Sequence, residues 1–574
     1  MHLADYLPVL AWARHYKRED LSGDLIAGVI VAIMLVPQSM AYALLAGLPP
    51  QVGLYASIAP PIVYGLLGTS RVLAVGPVAI DSLLVVAGLS QFAAESSAEY
   101  LLLALTLAFM VGVIQLFMGF IKAGSLVNFL SYPVLSGFTN AAALVIIVSQ
   151  IKHVLGIQIP RSESVITAAA DTLAQVGQVN PYTLGIGLGS IVTLLFFQHD
   201  VPNFLKRVNA PAALITPLSK AGPLVIVFAG TLMVWGLGLQ NNSDVAIVGE
   251  VPPGLPGFST PSLDPADIQK LFPIAVTISL VGFMESISIG KSLASKRRQK
   301  LDPNQELIAL GTANIAAALT SGYSVTGGLS RSVVNDSAGA RTGLASLITA
   351  TLIALTLLFF TGLFYYLPNA VLAAIILVAT AKLIDGSVLR RAWRYNKADA
   401  WSLIITFWAV LLIGIQNGIF LGIFAALALF LWRTSRPHVA VVGRVGDSEH
   451  FRNVERYETQ TCPHVLAVRV DESLYFANFQ YLESCLLNMI ADQPEVEHLV
   501  LVCSGVNTID TSALEGLETF ISELRSAGVV FYMSNVKGPV MDRLRAVGFV
   551  AKLGEERVFL TIHQAMQHLN CPRN

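Results

Sequence analysis

The sequence predicts an all-α polytopic membrane domain followed by a small α/β domain, and three observations carry that prediction. Hydrophobic residues make up 54% of the 574 positions and charged residues only 13%, with a mean hydropathy of +0.65. That balance belongs to a chain whose solvent is largely lipid. Apolar segments follow one another at about 20 residues or fewer, the length that crosses a bilayer. From about His438 the composition turns to that of a water-soluble domain. The expected organisation is a polar segment over 1–23, a membrane domain over 24–436 and a soluble domain over 437–574.

In chain order the apolar segments fall at 24–46, 53–68, 78–93, 99–121, 130–151, 182–198, 222–238, 271–292, 304–320, 330–341, 343–366, 369–384, 398–415 and 418–434. The stretch Met1 to Asp20 is polar and basic, and the first apolar run is too long for a signal-peptide core, so no cleavable signal is expected. Charge asymmetry supports the even count of fourteen. Arg14, Lys17 and Arg18 precede the first segment. Alternate loops then carry Arg71, Lys122, Lys206 with Arg207, Lys296-Arg297-Arg298, Arg341, the run Arg390 to Lys397, and Arg433 with Arg436. The opposite loops are uncharged or mainly acidic, apart from Lys152, Arg161 and Lys270. This asymmetry places both termini in the cytoplasm.

Seven plus seven segments would form an inverted repeat. The third segment of each half follows an interruption: Gly68-Thr-Ser-Arg-Val-Leu-Ala-Val-Gly-Pro77 in one, Ser321 to Gly328 in the other. Paired interruptions at corresponding positions point to a substrate site at mid-membrane. Val72 to Val75 and Tyr323 to Thr326 are each expected to be a short strand before a half-helix. Arg331, just past the second interruption, is costly at that depth and marks a functional site. A helix restarting there aims free N–H groups and a positive dipole end at the break, which suits an anion. Prolines and glycines elsewhere (Pro49-Pro50, Pro60-Pro61, Gly414, Gly418, Gly422) read as the general enrichment of these residues in membrane helices, where small residues also allow close packing.

The ordered motifs are more specific than the pattern. Val36-Pro-Gln-Ser-Met-Ala-Tyr42 comes first, then Leu48-Pro-Pro-Gln-Val-Gly-Leu-Tyr55, Gly68-Thr-Ser-Arg71, Val75-Gly-Pro77, Gly282-Phe-Met-Glu-Ser-Ile-Ser288 and Leu329-Ser-Arg-Ser332. On these the chain resembles the SulP family of sulfate permeases, bacterial relatives of the animal multifunctional anion exchangers and of prestin. The resemblance implies a core of segments 1–4 and 8–11 moving against a gate of 5–7 and 12–14, in a homodimer of the inner membrane. It places the anion at Gln38 and Tyr42, at Val78 and Ala79, and at Leu329, Ser330 and Arg331. An interhelical hydrogen bond is the competing role for Gln38, and pairing with Glu285 or Asp81 the competing role for Arg331.

Glu285 lies mid-way along an apolar segment. Burial disfavours a charged carboxylate, so this group can take up and release a proton. That suits coupling to H⁺, with Na⁺ the alternative coupling ion. The resemblance implies an apolar residue where Asp81 stands, so Asp81 departs from the family pattern and reads as a second coupling residue or a cation ligand. Lys382 and Asp385 suit the membrane interface. No organic cofactor or metal is called for. Every histidine lies outside the segments or at their ends, which excludes a membrane enzyme built on a histidine cluster. Sulfate is the preferred substrate, with bicarbonate, chloride or a dicarboxylate, or an uncoupled channel, as alternatives.

In the tail, Val465 to Val470, Leu499 to Cys503 and Val529 to Met533 read as strands. Ala477 to Ala491, Ser512 to Arg525 and Val540 to Ala546 read as helices, an α/β alternation. The tail resembles the STAS domain, related to bacterial anti-sigma-factor antagonists. That resemblance makes Ser512, in Asp510-Thr-Ser512, a phosphorylation candidate, with helix capping as the competing role. The domain is expected to regulate, dimerise or dock a cytosolic protein. Cys462, Cys485, Cys503 and Cys571 are expected to be free thiols in a reducing cytosol.

Overall fold

The computed structural model describes residues 7–125, 131–157, 159, 165–208 and 218–571, so Arg161 lies outside it. The chain divides into two compact units, Met1–Ala425 and Ala426–Asn574.

The membrane-type helices open with α1 (Pro8–Ala13), α2 (Arg18–Leu45), α3 (Pro50–Tyr55), α4 (Ala59–Leu67), α5 (Ala79–Leu89) and α6 (Ala98–Phe120). They continue as α7 (Tyr132–Leu155), α8 (Val165–Ala174), α9 (Pro181–Arg207), α10 (Gly222–Leu237) and α11 (Leu239–Asn242). The second set is α12 (Pro265–Lys296), α13 (Pro303–Leu319), α14 (Leu329–Ser337), α15 (Leu344–Phe359), α16 (Asn369–Ala381), α17 (Ser387–Tyr395), α18 (Lys397–Ile413) and α19 (Ile415–Thr434). Among the described residues α2, α6, α7, α9, α12 and α19 are long and apolar enough to cross a membrane, and α5, α10, α15 and α16 are shorter apolar helices.

The predicted segment 53–68 is corrected: it is two helices, with Pro60 and Pro61 in the first turn of the second. Proline lacks the N–H that would continue the first helix. At Gly418 and Gly422 the structure has the close packing expected of small residues in membrane helices. Gly414 takes φ 88° between α18 and α19. An added Cβ at Gly418 would strike Val410 and one at Gly422 would strike Thr406, so these two glycines set the close packing of α18 on α19.

Two groups of helices pack mainly within themselves. One contains α2, α4, α6, α12, α13, α14 and α15, and the other α7, α9, α10, α16 and α18. In the first group α6 and α13 meet at Gly112 and Gly311, where a Cβ on either would come within 2.7 Å of the other's backbone oxygen. Small residues at a crossing let membrane helices approach this closely.

The second unit carries a six-stranded sheet, β3 (Val439–Arg444), β4 (Phe451–Asn453), β5 (Val465–Val470), β6 (His498–Val502), β7 (Val530–Ser534) and β8 (Val558–Phe559), in the order β4-β3-β5-β6-β7-β8. Strands β5 to β8 run parallel, and β3 is antiparallel to both neighbours. Leu466, Val468, Leu499, Leu501, Phe531 and Met533 face a core shared with α20 (Phe479–Ala491), α21 (Thr511–Ser526) and α22 (Gly538–Ala546). The alternate residues Val465, Ala467, Val500, Val502 and Tyr532 face Ile562, Ala565 and Met566 of the last helix, Ile562–His568. Period-two alternation thus gives strands apolar on both faces, as a parallel sheet between helices requires. The four-thiol expectation is corrected here. Cys462 and Cys571 form a disulfide with Cα atoms 5.9 Å apart, and only Cys485 and Cys503 are free.

Candidate functional site

The two interruptions meet each other. Val75–Gly76 forms β1 and Thr326–Gly327 forms β2, paired antiparallel with Val75 opposite Gly327 and Gly76 opposite Thr326. Gly328 N donates to Ala74 O (3.0 Å). Unwound backbone at membrane depth persists only where protein satisfies it, and side chains from three helices do so here. Asn314 of α13 accepts from Val325 N (2.8 Å) and donates to Val325 O (3.1 Å) and to Gln115 Oε1 (3.0 Å). Ser286 of α12 accepts from Gly327 N (2.8 Å), and Thr326 Oγ1 donates to Gly282 O (2.6 Å). Across the pair, Ser332 of α14 accepts from Ala74 N (2.9 Å) and Asn335 donates to Val72 O (3.0 Å). None of these anchoring residues was singled out from the sequence for this role. A lone Asn or Ser within an apolar segment reads as generic helix glue.

From β1 and β2 the half-helices α5 and α14 start, and neither N-terminus has a side-chain cap. Their first-turn N–H groups therefore have neither an intrahelical nor a side-chain capping partner. Val78 and Ala79 are buried at the start of α5. At the start of α14 Leu329 and Ser330 expose their side chains, so their contribution to a site is the backbone N–H. Arg331 is 2% exposed, and its Nη1 donates to Pro77 O (2.8 Å), reaching across to the opposite break. Its Nε and Nη2 are buried without any partner. A Cβ on Gly328 would come within 2.7 Å of that guanidinium, so the loop must be glycine for Arg331 to lie back over it.

Pairing of Arg331 with a carboxylate is not what the structure contains: among the described residues it forms no ion pair with Glu285 or Asp81. Glu285 is close enough to feel both Asp81 and Arg331, and Tyr42 feels Arg331 and Glu285. Gln38, one turn before Tyr42 on α2, is buried yet makes no hydrogen bond among the described residues. Its amide is free rather than spent on holding helices together.

The buried carboxylates separate into two kinds. Glu306 accepts from Tyr64 Oη (2.7 Å), from Thr69 N (2.7 Å) and Oγ1 (2.6 Å), and from Ser70 N (3.1 Å). Asp24 likewise accepts from Arg341 N (2.6 Å) and from Thr342 N (3.0 Å) and Oγ1 (2.6 Å). Both are saturated and structural. By contrast Glu285 Oε2 and both oxygens of Asp81 have no hydrogen-bond donor, and the Ser324 hydroxyl faces Asp81 without closing a bond. An unpaired buried polar group costs about 1–3 kcal/mol. Unsatisfied groups of both signs gather at the meeting of two uncapped helix starts, an arrangement chemically suited to an anion and its counter-charges.

The sulfate permease family model matches residues 21–406, and the STAS domain model matches 456–565. The chain belongs to the sulfate permease family. As a permease-family member it is 38% identical over 575 residues to probable sulfate transporter 4.2 of Arabidopsis thaliana, covering 98% of this chain and 83% of that one. A probable sulfate transporter of Mycobacterium tuberculosis is 34% identical over 569 residues, covering 99% of this chain and 98% of its own. The structure of the murine solute carrier 26 family member A9 anion transporter, in the inward-facing state, aligns over 99% of this permease-family chain and 94% of its own, with a TM-score of 0.88 and 27% identity. These relatives are transporters, not enzymes.

In the second unit, Asp510 caps α21 by accepting from Ala513 N (2.8 Å). Ser512 is exposed in the first turn and does not cap.

Proposed function

We propose that this protein carries sulfate into the cell together with protons, binding the anion between the starts of α5 and α14. The observation that carries this reading is Arg331: a buried guanidinium with two unpartnered nitrogens, set between two uncapped helix N-termini. Two dipole ends and a fork of N–H donors match a tetrahedral oxyanion. Gln38 adds an amide donor, Tyr42 forms a wall, and the amides of Val78, Ala79, Leu329, Ser330 and Arg331 complete the cradle. Glu285 takes the coupling proton: protonated, it removes a negative charge from the neighbourhood of the anion, and deprotonated it faces the vacated Arg331. The sulfate assignment is supported by the names of the plant and mycobacterial relatives.

The cycle we infer is alternating access. The group α2, α4, α6 and α12 to α15, with α5, moves as a core against the gate helices α7, α9, α10, α16, α18 and α19, in a fourteen-segment inverted repeat. The protein would work as a homodimer of the inner membrane with both termini cytoplasmic, its STAS domain available to a cytosolic partner. The test is uptake of labelled sulfate by purified protein in vesicles, with H⁺ or Na⁺ gradients imposed and bicarbonate, chloride and dicarboxylates as competitors. Accumulation driven by an inward H⁺ gradient, and loss of pH dependence in Glu285→Gln, is the expected result. Wild-type pH dependence in Glu285→Gln would sink the coupling role, and a steady current without proton movement would make the protein a channel.

A further inference from the structure

Asp81 sits one turn into α5, on the half-helix whose N-terminus faces the proposed anion site. It is 1% exposed, and neither oxygen has a donor. It lies against α12 at Gly282, where an added Cβ would be 3.6 Å from Oδ1, one turn before Glu285. Glu285 and Tyr323 face Asp81, while Arg331 and Tyr42 face Glu285. The helices α6 and α7, which also pack on α5, bring no titratable side chain to it among the described residues. The neighbourhood therefore holds one cation against two carboxyl groups.

Arg331 cannot balance two carboxylates and a dianion together. A carboxylate without N–H donors or a paired cation is strongly disfavoured at this depth, and a dianion a few ångströms away disfavours it further. Resting on the proton-coupled reading above, we propose that Asp81 and Glu285 each bind one proton with the anion, so that a dianion crosses with two protons and no net charge. The charges balance over the cycle. Loaded, the site holds Arg331 at +1, two neutral carboxyls and the dianion at −2, a sum of −1. Empty, it holds Arg331 at +1 and two carboxylates, again −1. Both protons enter with the anion and leave with it on the inner side; the same −1 moves with the core in each direction, so no net charge crosses the membrane per cycle.

The stoichiometry is read from wild-type protein in vesicles with labelled sulfate, a set pH difference and a membrane potential clamped by potassium and valinomycin. Two protons per sulfate give an equilibrium accumulation of about 100-fold per pH unit that does not change with potential. In Asp81→Asn one proton remains, so accumulation falls to about tenfold per pH unit and drops about tenfold for each 59 mV of inside-negative potential. Wild-type accumulation of about tenfold per pH unit, already sensitive to potential, would overturn the two-proton proposal while leaving proton coupling intact. A complete lack of pH-driven accumulation would instead overturn the coupling on which it rests. Should Asp81→Asn fail to fold, the wild-type slope and potential dependence decide alone.

Discussion

Asn314→Leu should loosen the transport site without touching any residue that faces the anion. The Asn314 side chain is 0% exposed and ties β2 to α6 and α13 through Val325 and Gln115. Leucine keeps the volume and the apolar surface but removes three bonds outside its own helix, leaving Val325 N–H, Val325 C=O and Gln115 Oε1 without that partner. At the average of about 0.6 kcal/mol measured for hydrogen bonds between membrane helices, the loss is about 2 kcal/mol. If the break cannot relax and the three groups stay dry, the cost rises to about 3–9 kcal/mol. The lower figure already lowers Tm by roughly 4 °C for a domain of a few hundred residues. Because β2 fixes where α14 begins, sulfate affinity should fall with stability. Asn314→Asp, which keeps the acceptor for Val325 N–H, should lie between the two. Thermal unfolding in detergent with and without sulfate is the assay. A variant with wild-type Tm and wild-type sulfate affinity would refute the view that this side chain holds the break in place.

Other consequences are as direct. Gly53→Ala places a Cβ into the carbonyl oxygen of Ser39, on the backbone of α2 within the Gln38–Tyr42 turn. Neither partner is a flexible side chain, so expression of folded protein should collapse, while Gly236→Ala, which meets open space, should be tolerated; size-exclusion profiles report both. In the second unit Asp510→Ala should cost about 1 kcal/mol through loss of the cap, whereas Ser512→Ala should leave stability unchanged and remove any phosphate found by mass spectrometry of native protein. Burial pushes the Cys503 thiol up to about 12, so at pH 8 it stays protonated. An alkylating reagent should therefore label half-buried Cys485 well before Cys503, and equal rates would contradict this packing.

The candidate site was legible in the sequence where physics makes a residue conspicuous. An arginine in an apolar run, a glycine–hydroxyl interruption and a mid-segment glutamate are each expensive in lipid, and Arg331, Thr326–Gly328 and Glu285 do converge. The supports were not legible, because Ser286, Ser332 and Asn314 carry no charge and pass for ordinary helix contacts until β2 is seen to need donors and acceptors. Pro60-Pro61 was misjudged for a related reason. Proline is common enough in membrane helices that composition alone does not separate a tolerated kink from a helix start. In the tail, compact apolar runs revealed β5 to β7, but β4 and β8 are too short to form such a run. The Cys462–Cys571 bond depends on β5 and the last helix coming together, which spacing does not encode.

The central claim is that the buried, half-satisfied guanidinium of Arg331 binds the anion. Isothermal titration of purified protein with sulfate tests it most directly, comparing wild type, Arg331→Ala and Arg331→Lys. The account predicts a measurable wild-type affinity, a loss of at least about tenfold in Arg331→Ala, where about 1.5–3 kcal/mol of charge-assisted bonding disappears, and partial recovery in Arg331→Lys. Unchanged sulfate affinity in a folded Arg331→Ala protein would contradict it.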